Sequence, residues 1–168
     1  MDSLLEEKSF LTQKVKIKKK YSNKEIQLHH FFHQKTKIFP ENVIIHNQFI
    51  FFFVKSEDYF KAKRLLKNLR TQLIDKKILI IRSETTLIKL LFSFFPDTYI
   101  HDITLSIVEN TGKRLVKIIF LFYEDRGIAV GRSGDYINLV NKIFENYITL
   151  EKFNTSIEIK CEIIELEY

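Results

Sequence analysis

Read for the spacing of its apolar residues, the chain passes twice through one order of elements: helix, strand, strand, helix, helix, strand. In the first pass, residues 24–34 have helical spacing, with Ile26, Leu28, Phe31 and Phe32, and Pro40 marks a break. Strands at 43–45 and 49–54 follow, joined by His46-Asn47-Gln48. Residues 57–74 read as a helix through Leu65, Leu66, Leu69 and Leu73, and Ile78-Leu79-Ile80-Ile81 is a short strand. The second pass has a helix over 84–95, ended by Pro96, and strands at about 101–109 and 114–123 linked by Glu109-Asn110-Thr111-Gly112-Lys113. A short apolar step at 128–130 precedes a helix over 135–147 that places Ile137, Val140, Phe144 and Ile148 along a stripe. A last strand alternates Ile157, Ile159, Cys161 and Ile163 with charged residues. Such an order predicts an α+β (α/β sandwich) chain with two three-stranded mixed sheets, each backed by helices. Residues 1–23, dense in lysine from Lys14 to Lys20, read as a basic tail; the domains are then 24–82 and 83–168.

Charge divides the chain unevenly. Residues 1–82 hold 18 Lys/Arg against 8 Asp/Glu and residues 83–168 hold 9 against 13, or +10 and −4 within a total of +6. A basic half suits a polyanion such as RNA, although a solvated face explains any single run of charge as well. With Cys161 as its one cysteine, the chain can form no intramolecular disulfide, which suits a reducing compartment. No apolar run nears the roughly 18 residues of a membrane span, and the start of the chain is acidic where a signal peptide is basic. The expectation is a protein that is neither secreted nor membrane-bound. It would reside in the cytoplasm, or in an organelle matrix or stroma if organelle-encoded.

The chain's four glycines, Gly112, Gly127, Gly131 and Gly134, all fall within 23 residues. Glycine is needed where backbone takes positive φ or approaches a ligand closely, so this concentration marks a place where main chain does the work. The spacing excludes a P-loop, since Gly127 and Gly131 enclose three residues where four are required. It excludes the dinucleotide fingerprint, because position 129 is Ala, and a nucleophile elbow, because Asp135 stands in the last glycine position. Gly131-Arg132-Ser133-Gly134 does fit the Gly-x-x-Gly loop with which K-homology (KH) domains clamp the backbone of about four nucleotides between two helices. Arg132 supplies a cation at its tip, and Ile128, Val130, Ile137 and Val140 flank it as candidate groove wall and core. The repeated element order is the type II KH arrangement, so two tandem type II KH domains are expected.

The segment Asp125-Arg126-Gly127-Ile128-Ala129-Val130-Gly131-Arg132-Ser133-Gly134-Asp135-Tyr136-Ile137 resembles the second KH domain of NusA-type transcription factors, in their compact archaeal two-KH form. The lead-in Leu87-Ile88-Lys89-Leu90-Leu91-Phe92 and the strands at 103–108 and 113–122 are similar too. The first half resembles the other KH domain in degenerate form: its loop position holds Lys63-Arg64-Leu65-Leu66, without glycine. The resemblance implies non-catalytic binding of single-stranded RNA in transcription elongation, pausing, termination or antitermination, with RNA polymerase as the associated machine. The expected RNA contacts are Arg126, Gly127, Ile128, Val130, 131–134, Tyr136 as a solvent-facing stacking residue, and Ile137. Lys61, Lys63, Arg64 and Lys67, with Arg70, are expected as phosphate contacts of the first domain.

Two alternatives stand beside this reading. Type II KH folds also occur in ribosomal small-subunit proteins, which makes the ribosome a second candidate partner. A protein-interaction module that has lost RNA binding would suit the acidic second half. Asp and Glu are scattered without a spaced pair, so no catalytic site is expected. His29, His30 and His33 share a helix without cysteine partners and read as surface histidines, so neither metal nor cofactor is expected. Cys161 reads as a buried strand residue, and the phenylalanines at 49–53 as a strand buried on both faces.

Overall fold

A computed structural model describes residues 3–108, 111–152 and 156–166. The chain divides into two compact units, Ile17–Glu84 and a second made of Thr85–Tyr168 with Met1–Lys16. Each contains a three-stranded mixed sheet with helices, so the class is α+β.

In the first unit, α2 (Asn23–Thr36) precedes the hairpin β2 (Asn42–His46) and β3 (Phe49–Val54). Asn47, at φ 52°, turns this hairpin, a backbone angle that asparagine tolerates better than most residues. β3 then runs parallel to β4 (Lys77–Arg82) after a crossover through α3 (Tyr59–Arg64) and α4 (Leu66–Gln72). The sheet order is β2-β3-β4, with the first pair antiparallel. Every residue of β3 is buried. Phe52 stacks on Phe32 of α2 with centroids 4.5 Å apart, in a core shared with Ile38, Val43, Ile50, Tyr59, Leu69 and Ile78. The stretch expected as one helix over 57–74 is broken at Leu65, and its first turn at Ser56–Asp58 is a tighter 3-10 turn.

The second unit repeats the topology. α5 (Leu87–Ser93) leads to β5 (Ile100–Ile107) and β6 (Arg114–Phe120), which are antiparallel. β6 then lies parallel to β8 (Ile157–Ile163), and the crossover holds α6 (Tyr123–Val130), α7 (Asp135–Asn146) and the short β7 (Ile148–Leu150). The expected turn at 109–113 includes Glu109 and Asn110, which lie outside the described residues; its Gly112 has φ 66°.

Two expectations are corrected. The described part of the 1–23 tail carries α1 (Ser3–Leu11) and β1 (Val15–Ile17), which pairs with β7. Phe10, Leu11 and Val15 are buried, the Arg114 guanidinium sits 4.9 Å from the Phe10 ring centre, and Glu7 Oε1 accepts from Leu105 N–H. Lysine density hid these few apolar anchors. The strand expected to reach 123 stops at Phe120, and the apolar step at 128–130 is the end of α6. The run Ile118-Ile119-Phe120-Leu121-Phe122-Tyr123 has β composition throughout, but Glu124 and Asp125 suit a helix's first turn, where the dipole favours negative charge.

Candidate functional site

Residues 131–134 join α6 to α7, and their backbone is the least ordinary in the second unit. Gly131 has φ 81° and ψ 177°, and Ser133 and Gly134 are left-handed at φ 53° and 76°. Three consecutive bonds hold the shape: Gly131 N–H to Gly127 O (2.9 Å), Gly134 N–H to Gly131 O (3.2 Å), and Asp135 N–H to Arg132 O. A Cβ at position 131 would stand 2.8 Å from Tyr136 N and collide with Asp135 Oδ1, whereas one at 134 meets only Asn138 Nδ2 at 3.5 Å. Gly131 therefore lets the start of α7 close down on the end of α6. Arg132 and Ser133 project into solvent.

Helix α7 starts at Asp135 with Gly134 before it and no side-chain cap. Its positive end favours an anion, and the Asp135 carboxylate beside Gly131 partly offsets that. Asn141 fixes the helix to the outer edge of the sheet, donating to Ile159 O and accepting from Ile159 N–H at 3.0 and 2.8 Å. Arg126 Nε donates to Cys161 O of the same strand at 3.1 Å, which gives this expected RNA contact a structural task in α6.

The expected contacts fall into groups. Gly127 and Ile128 are exposed on α6, with open space around the Gly127 Cα, and Val130 and Ile137 are half-buried. Val140 is core. Tyr136 is a correction: it is 8 % exposed, its hydroxyl donates to Phe94 O, and its ring meets Phe95 edge-on at 5.9 Å. Burying an aromatic body while satisfying its hydroxyl suits tyrosine's two-sided chemistry. The exposed rings of this helix are instead Phe122 and Tyr123, where α6 begins, at the end away from the loop. Reading 114–123 as strand concealed them.

In the first unit the corresponding helices meet at Leu65, whose φ of −94° is right-handed, so this junction has neither glycine nor left-handed backbone. Lys61, Lys63, Arg64 and Lys67 are exposed there. Arg70 is tied down by a bond from Nη2 to Ile78 O at 3.3 Å. On α2, burial first, then the charges of His30 and Lys19, hold the His29 imidazole below its ordinary pKa, and His33 stacks on Phe39 at 3.7 Å. Among the described residues no three His, Cys, Asp or Glu side chains assemble as a metal-binding group, and no helix is long and apolar enough to cross a membrane.

Burial pushes the Cys161 thiol up to about 12, with Arg126 acting weakly the other way, and pushes the Tyr136 phenol well above its usual range. Both groups are held neutral when folded and ionise more readily when unfolded. Their contribution to stability is therefore complete below pH 9 and is lost as pH rises toward the folded-state values. The urea midpoint should hold to about pH 8 and fall beyond about pH 9, and Cys161→Val should make that fall shallower. An identical alkaline slope in the variant would contradict the assignment.

No family model and no curated protein sequence matches the chain. Among solved structures, one described as "Crystal structure of APE1850" is similar at 21 % identity with a TM-score of 0.58, over 86 % of this chain and 100 % of that one. At that identity the likeness is one of fold.

Proposed function

We propose that the chain binds single-stranded RNA without chemistry, closing residues 131–134 on the sugar-phosphate backbone. In this reading the two units are tandem type II KH domains, the first lacking a clamp. The observation that carries it is the loop: main chain stripped of side chains at Gly131 and Gly134, turned by three positive φ angles, and presenting Arg132 and Ser133 to solvent at a helix start. Both units also run helix–strand–strand–helix–helix–strand with an antiparallel then a parallel strand pair. The exposed Ile128 and the ring of Tyr123, one turn before Gly127 on α6, offer apolar surface for bases. The resemblance of residues 125–137 supports a NusA-like role beside RNA polymerase.

Filter binding of a short unstructured RNA across a salt series tests the proposal. Phosphate neutralisation on a single strand gives a slope of log affinity on log salt of about −0.7 per phosphate engaged. A clamp holding about four nucleotides should therefore give a slope of roughly −2 to −3. Absence of binding even at low salt would contradict it. That result would favour a protein-interaction module, for which the second unit's 12 Lys/Arg against 15 Asp/Glu, a net of −3, already speaks.

A further inference from the structure

The first unit lacks a clamp, yet it carries the positive charge: Ile17–Glu84 hold 15 Lys/Arg against 6 Asp/Glu, a net of +9. Its helix α3 opens with two adjacent rings treated very differently. Tyr59 is 6 % exposed and belongs to the core, while Phe60 is 65 % exposed. Phe60 is nevertheless held in place. Its ring meets Tyr59 edge-on at 5.5 Å and 72°, and the Arg82 guanidinium, from the end of β4, sits 5.1 Å from the Phe60 centroid and 4.3 Å from that of Tyr59. Arg82 Nε is buried and has no hydrogen-bond partner, and the guanidinium lies within cation–π distance of both rings. Three and four residues beyond Phe60 on α3 stand Lys63 and Arg64, both exposed, with Lys61 and Lys67 flanking them. Side chains at those separations are neighbours on a helix surface. The carboxylates of the region, Glu57 and Asp58, precede α3 at the same end as Phe60, while Lys63 and Arg64 close the helix.

We infer that this patch is a second RNA contact, made by side chains where the other unit uses main chain. A nucleobase stacks on the open face of Phe60, with the ring braced from behind by Arg82, and Lys63 and Arg64 take the adjoining phosphates. A braced, exposed ring beside cations is what sequence-tolerant single-strand binding requires, since every base has a face to stack and every nucleotide a charge to neutralise. The inference rests on the RNA reading above, and its test separates the two.

The chain has no tryptophan, so Phe60→Trp introduces a sole reporter. Titrating full-length Phe60→Trp with a single-stranded RNA of about 12 nucleotides, long enough to reach beyond a four-nucleotide clamp, should quench its fluorescence along the binding isotherm. Phe60→Ala should weaken binding of the same RNA about fivefold or more, and Phe60→Tyr should restore it. The urea midpoint of each variant controls for folding. Quenching together with the weakened Phe60→Ala binding supports the site. Binding that depends on Arg132 and Ser133 but leaves the tryptophan unquenched and ignores Phe60→Ala overturns this inference alone. A wild-type chain that binds no RNA overturns both.

Discussion

Replacing Gly131 with alanine should lower the free energy of unfolding by about 3 kcal/mol, read as a shift in urea midpoint at unchanged slope. Two effects combine. The backbone angles of φ 81° and ψ 177° lie in a region essentially restricted to glycine, which costs a side-chain-bearing residue of order 1–3 kcal/mol. The added Cβ would also stand 2.8 Å from Tyr136 N. Asp135 can swing aside, but Tyr136 is anchored by its bond to Phe94 O. The neighbouring glycines calibrate the effect. Gly134→Ala meets only left-handed strain and an ordinary 3.5 Å contact, so it should cost roughly 1–2 kcal/mol. Gly127→Ala, inside α6 with open space around it, should stabilise the protein by about 0.5–1 kcal/mol. An order other than 131, 134, 127 would show that the loop is not shaped as described.

The second large effect is on binding. Arg132→Asp with Ser133→Asp should weaken RNA affinity about 100-fold or more while leaving the urea midpoint nearly unchanged. The pair of changes shifts the charge of the loop tip by three units toward negative. Each unit charge about 4 Å from a phosphate contributes on the order of 1 kcal/mol in water and up to about 4 nearer a protein surface. The lower figure alone, taken three times, exceeds a hundredfold change. Folding should tolerate the substitutions because both side chains are exposed and the left-handed Ser133, at φ 53°, is a position aspartate accepts readily. Unchanged affinity would remove the loop from the mechanism.

How far the sequence can be read depends on whether a feature is local. The strands were legible because Phe49–Val54 and Lys77–Arg82 have apolar runs of strand length between polar links. The glycine spacing located the loop at 131–134 because positive φ is a property of single positions. Helix α6 was not legible, since its aromatic entry continues the composition of β6 and only Glu124 and Asp125 argue otherwise. Nor was the role of Tyr136: the position beside the loop suggested solvent, and its burial depends on Phe94 and Phe95 about forty residues earlier. Of the expected stripe, Val140 and Phe144 lie on the buried face of α7 with Tyr136, Leu139 and Ile143, Ile137 is only half-buried, and Ile148 is buried but belongs to β7. The meeting of Phe60 with Arg82 joins a helix to an edge strand, and no periodicity encodes such a pair.

The most direct test follows backbone amide resonances of the full chain during titration with a short single-stranded RNA. The largest shifts should fall on residues 127–137, greatest from Gly131 to Asp135, and should saturate with the binding curve. Saturable RNA binding that leaves those amides unmoved would contradict the account.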